Sequence, residues 1–376
     1  MFECQVIIHS PSMSVLAVIS VIALLIFVHE LGHFLAARLQ GIHVNRFSIG
    51  FGPILWKYQG SRTEYALRAL PLGGFVGFPM DDESDSSFPP NDPDLLQNRP
   101  VLDRAIVMSA GVIANLLFAY LVFVVQFTSV GVPQNFVPEP GVLIPQVMSN
   151  TSPAAAAGIR AGDIILAVNG QSLDQGEENV QALIDAIQTS SDQPVDLEIQ
   201  RGRQELDITV IPDVSPEGLP IIGVQLYPNG RFNYRRSGNP VEVLKFAADE
   251  FQNVFVRTAQ GFVDLVTNFS EVSSQVSSPV GIVDQGRTMA DSNIISLFPF
   301  TALISVNLAI INILPLPALD GGQLAFLLVE ALLGKPLPRR LQESVMQTGL
   351  LLFLGLGGML IARDISRLEI FQNVFQ

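Results

Sequence analysis

Four stretches of the chain are apolar over roughly the length of a membrane-spanning helix. The first begins with VLAVISVIALLIF, from Val15 to Phe27, which has no charged side chain, and it continues to Leu39. About 20 apolar residues in a helix cross the hydrocarbon core of a bilayer. The pattern therefore predicts membrane-spanning elements at residues 14–39, 102–127, 294–322 and 341–362.

The segment between the first two spans, residues 41–100, changes character halfway. FSIGFGPILWKY and TEYALRALPLGGFVGF are strand-like, with Gly and Pro residues that interrupt them. MDDESDSSFPPNDPD is acidic and rich in Pro and Ser, which is typical of a solvated loop. We expect both halves to lie on the same side of the membrane, since no apolar span separates them.

Residues 130–213 have the pattern of a small α/β domain. GVLI at Gly141 and DIILAVNG at Asp163 predict strands, and Asn169-Gly170 is typical of a tight hairpin turn. A short helix is expected at SPAAAAGI, a second helix at 179–189, and a strand pair across RGR. This stretch, above all SPAAAAGIRAGDIILAVNG, resembles a PDZ domain.

Residues 214–293 are predicted to be a linker that contains an amphipathic helix. A further strand is a candidate at 219–232, and Ser278-Pro-Val-Gly-Ile is expected to be a loop. The helix covers about 240–268, where apolar residues recur at helical spacing. Two interpretations stay open for it: a helix lying against the membrane or the bundle, and an ordinary core helix.

Composition places the chain in a membrane. The 376 residues are 48% hydrophobic and only 15% charged, with a mean hydropathy of +0.40, whereas soluble domains carry about 25% charged residues. The formal net charge of −14 excludes nucleic acid as an expected partner, because phosphate binding needs clustered Lys and Arg. Cys4 is the single cysteine, so neither an intrachain disulfide nor a cysteine-type zinc site is expected.

The candidate chemistry lies at the end of the first span, in His29-Glu30-Leu31-Gly32-His33. On a helix the two histidines lie one turn apart on one face, so both imidazoles can bind one zinc ion, and Glu30 can accept a proton from water beside it. The pentapeptide also arises by chance. Inside an apolar span, however, three polar side chains are costly and indicate function.

A third zinc ligand must come from elsewhere in the chain. His9 and His43 are the remaining histidines, and Glu64 is the first glutamate downstream. Asp320 follows the third span, just after Pro315 and Pro317, which cannot continue a helix.

Charge distribution predicts the topology. The first inter-span loop and the loop before the last span both carry clustered basic residues, namely Arg38, Arg46, Lys57, Arg62, Arg68, Arg99 and Arg104 in one and Lys335, Arg339 and Arg340 in the other. Both loops are therefore expected in the cytoplasm, and the PDZ-like domain outside it. No Lys or Arg precedes the first span, so we expect that span to be retained rather than cleaved as a signal. His33 and Asp320 then lie at the same depth, which permits a site of His29, His33 and Asp320.

Together these elements resemble the site-2 protease family of intramembrane zinc metalloproteases, in particular the bacterial branch of the regulator of sigma-E protease. The matching motifs are HELGHF (29–34), Gly111 with Asn115, the PDZ-like insert, and NxxPxPxLDGG (312–322). The chain departs from that branch in having one PDZ-like copy instead of two. Gating of substrate by a PDZ pair is therefore not expected.

The resemblance implies a role for each motif. His29, His33 and Asp320 would bind Zn²⁺, and Glu30 would be the general base. Asn312, Pro315 and Pro317 would handle substrate. The segment that includes Gly73, Gly74 and Phe75 looks like the family's membrane-reentrant β-hairpin, which holds substrate as an added strand.

The implied activity is cleavage of single-span membrane proteins within or next to their spans, such as anti-sigma factors or remnant signal peptides. The PDZ-like domain would bind a peptide segment or regulator outside the cytoplasm. The expected location is a bacterial inner membrane, with a plastid or thylakoid membrane as the alternative. Nothing in the sequence indicates the oligomeric state.

Two other functions are open. One is a PDZ-bearing adaptor whose metal site is structural or inactive, but Glu30 and a candidate third ligand are both present. The other is a protease that cuts soluble or lipidated chains at the cytoplasmic face. In sum, the sequence predicts a multi-pass α-helical membrane protein of about four transmembrane helices, with a membrane-associated β-hairpin region and one inserted PDZ-like α/β domain.

Overall fold

The computed structural model describes residues 11–79, 88–145, 147–148, 152–174, 176, 178–190, 193–202, 204–215, 218–268, 276 and 278–367. The chain divides into two compact units, Val130–Ser237 and a second unit made of the residues before and after it. His9, Cys4 and the acidic residues 81–87 lie outside the described part of the chain.

Helix α1 (Pro11–Leu39) carries the HExxH motif and packs against α2 (Val101–Ser129). It is apolar around most of its circumference, and Arg38 in its last turn complements the negative end of the helix dipole. The two backbones approach closely at Gly32, where a Cβ would lie 2.5 Å from the carbonyl oxygen of Ala110. The motif therefore lies directly against α2.

Strands β1 (Arg46–Gln59) and β2 (Glu64–Gly77) form a sheet that is more complex than the predicted hairpin. The outer halves pair as a hairpin, with Gln59 opposite Glu64 and Trp56 opposite Leu67. The first residues of β1 lie between the two halves of β2, since Phe47 pairs with both Tyr65 and Val76. Four segments therefore lie side by side in the order 54–59, 64–68, 46–49 and 74–77.

Glycines cause this departure from a simple hairpin. Gly50, Gly52 and Gly73 all have positive φ angles, of 85°, 84° and 100°. Residues with a Cβ rarely adopt this conformation, so the glycines let both strands bend and fold back on themselves. One outer edge of the sheet is consequently the segment 74–77.

The inserted unit contains an antiparallel sheet and two helices. Its elements are β3 (Val132–Leu143), α3 (Pro153–Ala156), β4 (Ile164–Val168), β5 (Gln171–Ser172), α4 (Glu178–Thr189), β6 (Val195–Arg201), β7 (Gln204–Val210), β8 (Asp213–Val214), β9 (Pro220–Ile221) and β10 (Tyr227–Arg235). The main sheet has the order β10-β3-β4-β6-β7, with β5 on β4. The predicted Asn169-Gly170 turn joins β4 to β5, and both residues have the positive φ that such a turn needs.

The unit continues to Ser237, beyond the boundary predicted at residue 213. The reason is β10, which pairs along β3 with Phe232 opposite Phe136 and Arg235 opposite Val132. The strand expected near 219–232 thus begins later and belongs to this sheet. The unit is PDZ-like, as its sequence indicates.

A buried ion pair joins β4 to β6 in this unit. Arg201 donates from Nε and Nη2 to the two carboxylate oxygens of Asp163, at 2.8 Å each, and the backbone N–H of Arg160 donates to the same carboxylate. These hydrogen bonds to Asp163 raise the pKa of the Arg201 guanidinium. The carboxylate is fully buried and fully paired.

After the insert the chain is helical. The helices are α5 (Pro240–Thr267), α6 (Pro279–Ser292), α7 (Leu297–Ile313), α8 (Asp320–Leu333) and α9 (Arg339–Arg367). The loop expected at Ser278 is instead the start of α6, because Ser278 Oγ caps the helix by accepting from the N–H of Gly281 and Pro279 suits the first turn. The third span ends at Ile313 rather than continuing to 322, and Asp320 opens a separate helix, α8.

The amphipathic helix α5 packs against the bundle. Phe246 contacts Phe127, and Phe251 contacts Tyr120, with ring centroids 6.3 and 6.4 Å apart. Later positions on α5 contact earlier ones on α2, so the two helices are antiparallel. Val266, near the end of α5, is 83% exposed, so the helix also presents an apolar face outward.

Four helices within the described residues are long and apolar enough to cross a membrane, at Met13–Leu39, Val101–Ser129, Ile294–Ile313 and Arg340–Ala362. The protein is a multi-pass helical membrane protein. Large apolar side chains remain exposed on these helices, among them Leu117 at 59% and Leu351 at 70%. Such exposure suits a lipid environment.

We predict that Asp163→Asn lowers the free energy of unfolding of the PDZ-like unit by about 3 kcal/mol, because it removes the charge that pairs with Arg201. Urea unfolding of residues 130–237 measures this change. Asp207→Asn is the control, since Asp207 is exposed on β7. Equal effects of the two substitutions would contradict the prediction.

Candidate metal centre

Three potential ligand atoms converge between α1, α2 and the start of α8. The Nε2 atoms of His29 and His33 lie 3.2 Å apart. Asp320 Oδ2 lies 3.1 Å from the first nitrogen and 3.3 Å from the second. The three donors therefore form a nearly equilateral triangle.

This triangle fits a zinc ion. Zinc binds imidazole nitrogen and carboxylate oxygen at about 2.0–2.1 Å, so two ligands of a tetrahedral site lie about 3.3 Å apart. Asp320 Oδ2 is buried and receives no hydrogen bond from any described residue. A buried carboxylate oxygen without a donor is costly, and a cation at the centre of the triangle would remove that cost.

The backbone of α2 orients His33. Its Nδ1 lies 2.8 Å from the carbonyl oxygen of Val107, which can only accept a hydrogen bond. Nδ1 therefore carries the proton, and the lone pair of Nε2 points toward the triangle. Metal-binding histidines characteristically have such a partner on the second ring nitrogen.

Asn115 has the same function for His29. Its amide Nδ2 lies 3.3 Å from His29 Nδ1, while its Oδ1 is buried without a partner. Rotating the amide by 180° exchanges the two atoms, and Oδ1 then accepts a hydrogen bond from His29 Nδ1–H. We assign this orientation, because it satisfies the buried oxygen and leaves His29 Nε2 free to bind a metal.

Gly111 makes room for the centre. A Cβ at this position would collide with His33 Nε2 and would lie 2.7 Å from His29 Cε1. No other residue fits there without displacing an imidazole. Gly111 lies between Val107 and Asn115 on α2, so one face of this helix contacts both histidines.

An irregular turn delivers Asp320. Pro315 and Pro317 end α7, and Ala318 has a φ of 70°, which is uncommon for a residue other than glycine. At Gly321 a Cβ would collide with the carbonyl oxygen of Leu314 and lie 2.5 Å from the carbonyl carbon of Ile313. The turn therefore needs glycine to fold tightly enough to place Asp320 at the first turn of α8.

Glu30 lies between the triangle and the β-sheet. The backbone N–H of Val76 donates a hydrogen bond to its carboxylate. A Cβ on Gly74 would lie 2.9 Å from Glu30 Cγ. The sheet edge 74–77 thus runs past the carboxylate at van der Waals distance.

These groups line one cavity of about 570 Å³. Of the residues predicted from sequence, His29, Glu30, His33, Gly73, Gly74, Phe75, Asn312 and Asp320 line it. Asn312 Nδ2 lies 3.5 Å from His29 Nε2. Pro315 and Pro317 are not among its lining residues, and Pro317 instead packs against Gly349 of α9.

The alternative third ligands lie elsewhere. His43 stacks on Phe88 and lies 3.6 Å from Asp92. Glu64 pairs with Lys57 at 2.5 Å. His43, Asp92 and Asp94 do form a second group with metal-binding side chains, but Asp92 already accepts from the N–H of Asp94, and Asp94 lies 3.6 Å from Arg99.

Sequence reasoning did not find two cavity features. Gln323 lines the cavity one turn after Asp320, and the Val107 contact uses a backbone atom, which no side-chain pattern can show. A signal for Gln323 existed, since a polar residue in the apolar run of α8 is unusual.

Comparison with known proteins identifies the family of this chain. Residues 17–356 match peptidase family M50. The chain is 55% identical over 97% of its length to all of the "Putative zinc metalloprotease all3971" of Nostoc sp.. It is 47% identical over 96% of its length to 80% of the "Membrane metalloprotease ARASP, chloroplastic" of Arabidopsis thaliana.

More distant relatives also align over most of the chain. The "Regulator of sigma-W protease RasP" of Bacillus subtilis is 28% identical over 94% of this chain and 99% of its own. A solved PDZ domain of an SdrC-like protein from Listeria monocytogenes matches 24% of this chain and 90% of that domain at 25% identity, with a TM-score of 0.21. The family match covers most of the chain, and the protein therefore belongs to peptidase family M50, the site-2 protease family of zinc-dependent membrane metalloproteases.

Proposed function

We propose that this protein hydrolyses peptide bonds within or next to the transmembrane segment of single-span membrane proteins, at a zinc ion held by His29, His33 and Asp320. One observation carries the proposal. The triangle of ligand atoms lies in one cavity with the Glu30 carboxylate and the strand edge 74–77. Helix α1, which holds two of the ligands, is long enough to span a membrane.

When bound, zinc polarises a water molecule and the carbonyl of a peptide bond. Glu30 accepts the proton of the attacking water and donates it to the leaving amine. The N–H of Val76 holds the carboxylate in place. The Asn312 amide, beside His29, is positioned to donate to a substrate carbonyl.

The strand edge 74–77 would hold the substrate in an extended form. A transmembrane helix hides its amides in internal hydrogen bonds, so it must unwind before any of them is cut. The backbone groups of an edge strand can pair with the unwound segment, as in other cases of strand addition. Gly74 leaves room for the Glu30 side chain at this edge, while the ring of Phe51 lies against Gly73.

The basic loops would place the metal centre toward the cytoplasm and the PDZ-like unit outside it. We propose that this unit binds a peptide segment of a substrate or a regulator. The name of the B. subtilis relative refers to a sigma factor, which supports membrane-anchored anti-sigma factors as one substrate class, with remnant signal peptides as another. A bacterial plasma membrane and a chloroplast membrane are both compatible with the relatives.

We predict that Glu30→Gln retains zinc but lowers cleavage of a single-span substrate at least ~100-fold, the usual contribution of a general base. Asp320→Ala should lose both zinc and activity. The assay uses purified full-length protein in detergent and mass spectrometry of the fragments. Retained activity in either variant would remove that residue from its assigned role.

The position of the cut distinguishes the remaining alternatives. A cut inside the substrate's span, abolished by a zinc chelator, supports the proposal. A cut only in a soluble tail would favour a protease acting at the membrane surface. Stoichiometric zinc without cleavage of any of several single-span substrates would favour the adaptor function.

We predict that Gly111→Ala weakens zinc binding at least ~10-fold, because its methyl group displaces the imidazoles. Gly355→Ala is a matched control, since Gly355 lies in α9 with no atom near its Cβ position. Zinc content after dialysis against a buffered chelator measures both. Equal zinc affinity for the two variants would show that the imidazoles lie elsewhere.

We predict that deleting residues 130–237 alters the choice or rate of cleavage of natural substrates while zinc binding persists. Val132 and Arg235 are paired in the sheet, so the chain enters and leaves the unit at neighbouring points. The two cut ends can therefore be joined directly. Competition between two substrates, one with its extracytoplasmic part removed, provides the measurement. Unchanged selectivity and rate would rule out a substrate-binding role for this unit.

A further inference from the structure

One face of α2 contacts both histidines of the centre. Val107, Gly111 and Asn115 follow one another at spacings of four residues, so they lie along one stripe. Val107 and Asn115 orient the two histidines, and Gly111 makes room for them. Arg104 lies one turn before Val107 and extends the stripe toward the N-terminus of α2.

Arg104 binds a buried carboxylate on α8. Its Nη2 lies 2.6 Å from Glu330 Oε2, and the Glu330 side chain is only 4% exposed. The other carboxylate oxygen accepts from the N–H of Leu337 at 3.1 Å and from Gln342 Nε2 at 3.2 Å. Glu330 thereby joins α8 to α2 and to the start of α9.

Glu330 and Asp320 belong to the same short helix. Ten residues separate them, which corresponds to about 15 Å along the axis and about 80° around it. Helix α8 packs against α2. Glu330 reaches Arg104 of α2, and Asp320 reaches the two histidines that α2 orients. A helix of this length is rigid, so fixing Glu330 on α2 also fixes the rotation of α8 and hence the position of Asp320.

We propose that Arg104 and Glu330 are positioning residues for the zinc site. The ion pair aligns Asp320 with the two histidines, which are themselves oriented by the same helix. A buried ion pair adds little net stability compared with a well-packed apolar pair. The short hydrogen bond from Arg104 Nη2 to Glu330 Oε2 instead fixes where the two helices meet. The inference rests on the ligand set proposed above.

The test is the zinc dissociation constant of the full-length protein, measured by competition with a chelator. Arg104→Gln should raise it at least ~10-fold, as loss of a supporting partner commonly does. The double variant Arg104→Gln/Glu330→Gln should recover most of the affinity, because two amides can hydrogen-bond without a buried charge. Replacing Glu330 also removes its unpaired buried charge and so restores stability, and the melting temperature of each zinc-free variant is therefore measured beside its zinc affinity. Weaker zinc binding by an Arg104→Gln protein that remains folded is the result that a loss of stability alone does not produce.

The ion pair between Arg201 and Asp163 supplies a matched control. It also joins a guanidinium to a carboxylate of similar burial, through two hydrogen bonds instead of one, and it lies in the PDZ-like unit. Arg201→Gln should lower the melting temperature of that unit and leave the zinc dissociation constant unchanged. If Arg104→Gln does not fold, Arg104→Lys is the second variant. It keeps the charge but does not reproduce the position of the Nη2 donor, so it should weaken zinc binding at least ~3-fold.

Failure of this inference and failure of the ligand set give different results. Unchanged zinc affinity in a folded Arg104 variant, while Asp320→Ala loses zinc, overturns the positioning role alone. Zinc binding that survives Asp320→Ala overturns the ligand set. A double variant as weak as Arg104→Gln alone also contradicts the inference.

Discussion

The cost of placing polar groups inside apolar helices governs this structure. His29, Glu30 and His33 interrupt a span that is otherwise apolar, and each needs a partner there. Helix α2 provides two of them, the Val107 carbonyl for one imidazole and the Asn115 amide for the other, while the sheet provides the N–H of Val76 for Glu30. What remains is the point where the three ligand atoms meet, and a metal cation there would interact favourably with all three.

Close packing makes those partnerships possible. Gly32 and Gly111 let α1 and α2 approach until backbone and imidazole atoms touch, and Gly74 does the same for the sheet edge beside Glu30. Membrane helices commonly use small residues in this way, because apolar surface gives no net attraction between helices in lipid. Gly74 and Val76 line the same cavity as the three ligand side chains, so the edge on which we propose that a substrate binds lies beside the metal centre.

Sequence predicted much of this arrangement, for identifiable reasons. The spans, the HExxH ligands and the Asn169-Gly170 turn follow from local patterns, and the charge of the loops permitted Asp320 as the third ligand. What the sequence did not reveal depends on contacts between distant segments. The back-folding of β1 and β2 comes from three glycines at positive φ, and β10 joins its sheet through pairing with β3, about ninety residues earlier, at ordinary strand spacing. Sequence analysis did not predict α8 as a separate helix, because its first residues were included in the third span. Glu330, a charged residue within the apolar run LLVEALL, was a visible sign that this segment differs from a lipid-facing span.

The central claim is that two imidazoles and one carboxylate bind the zinc. X-ray absorption at the zinc edge of the purified full-length protein tests it most directly. The account predicts a shell of nitrogen and oxygen atoms at about 2.0–2.1 Å in which the outer-shell scattering corresponds to two imidazole rings. Scattering from three imidazole rings, or from a sulfur atom at about 2.3 Å, would show that Asp320 is not the third ligand.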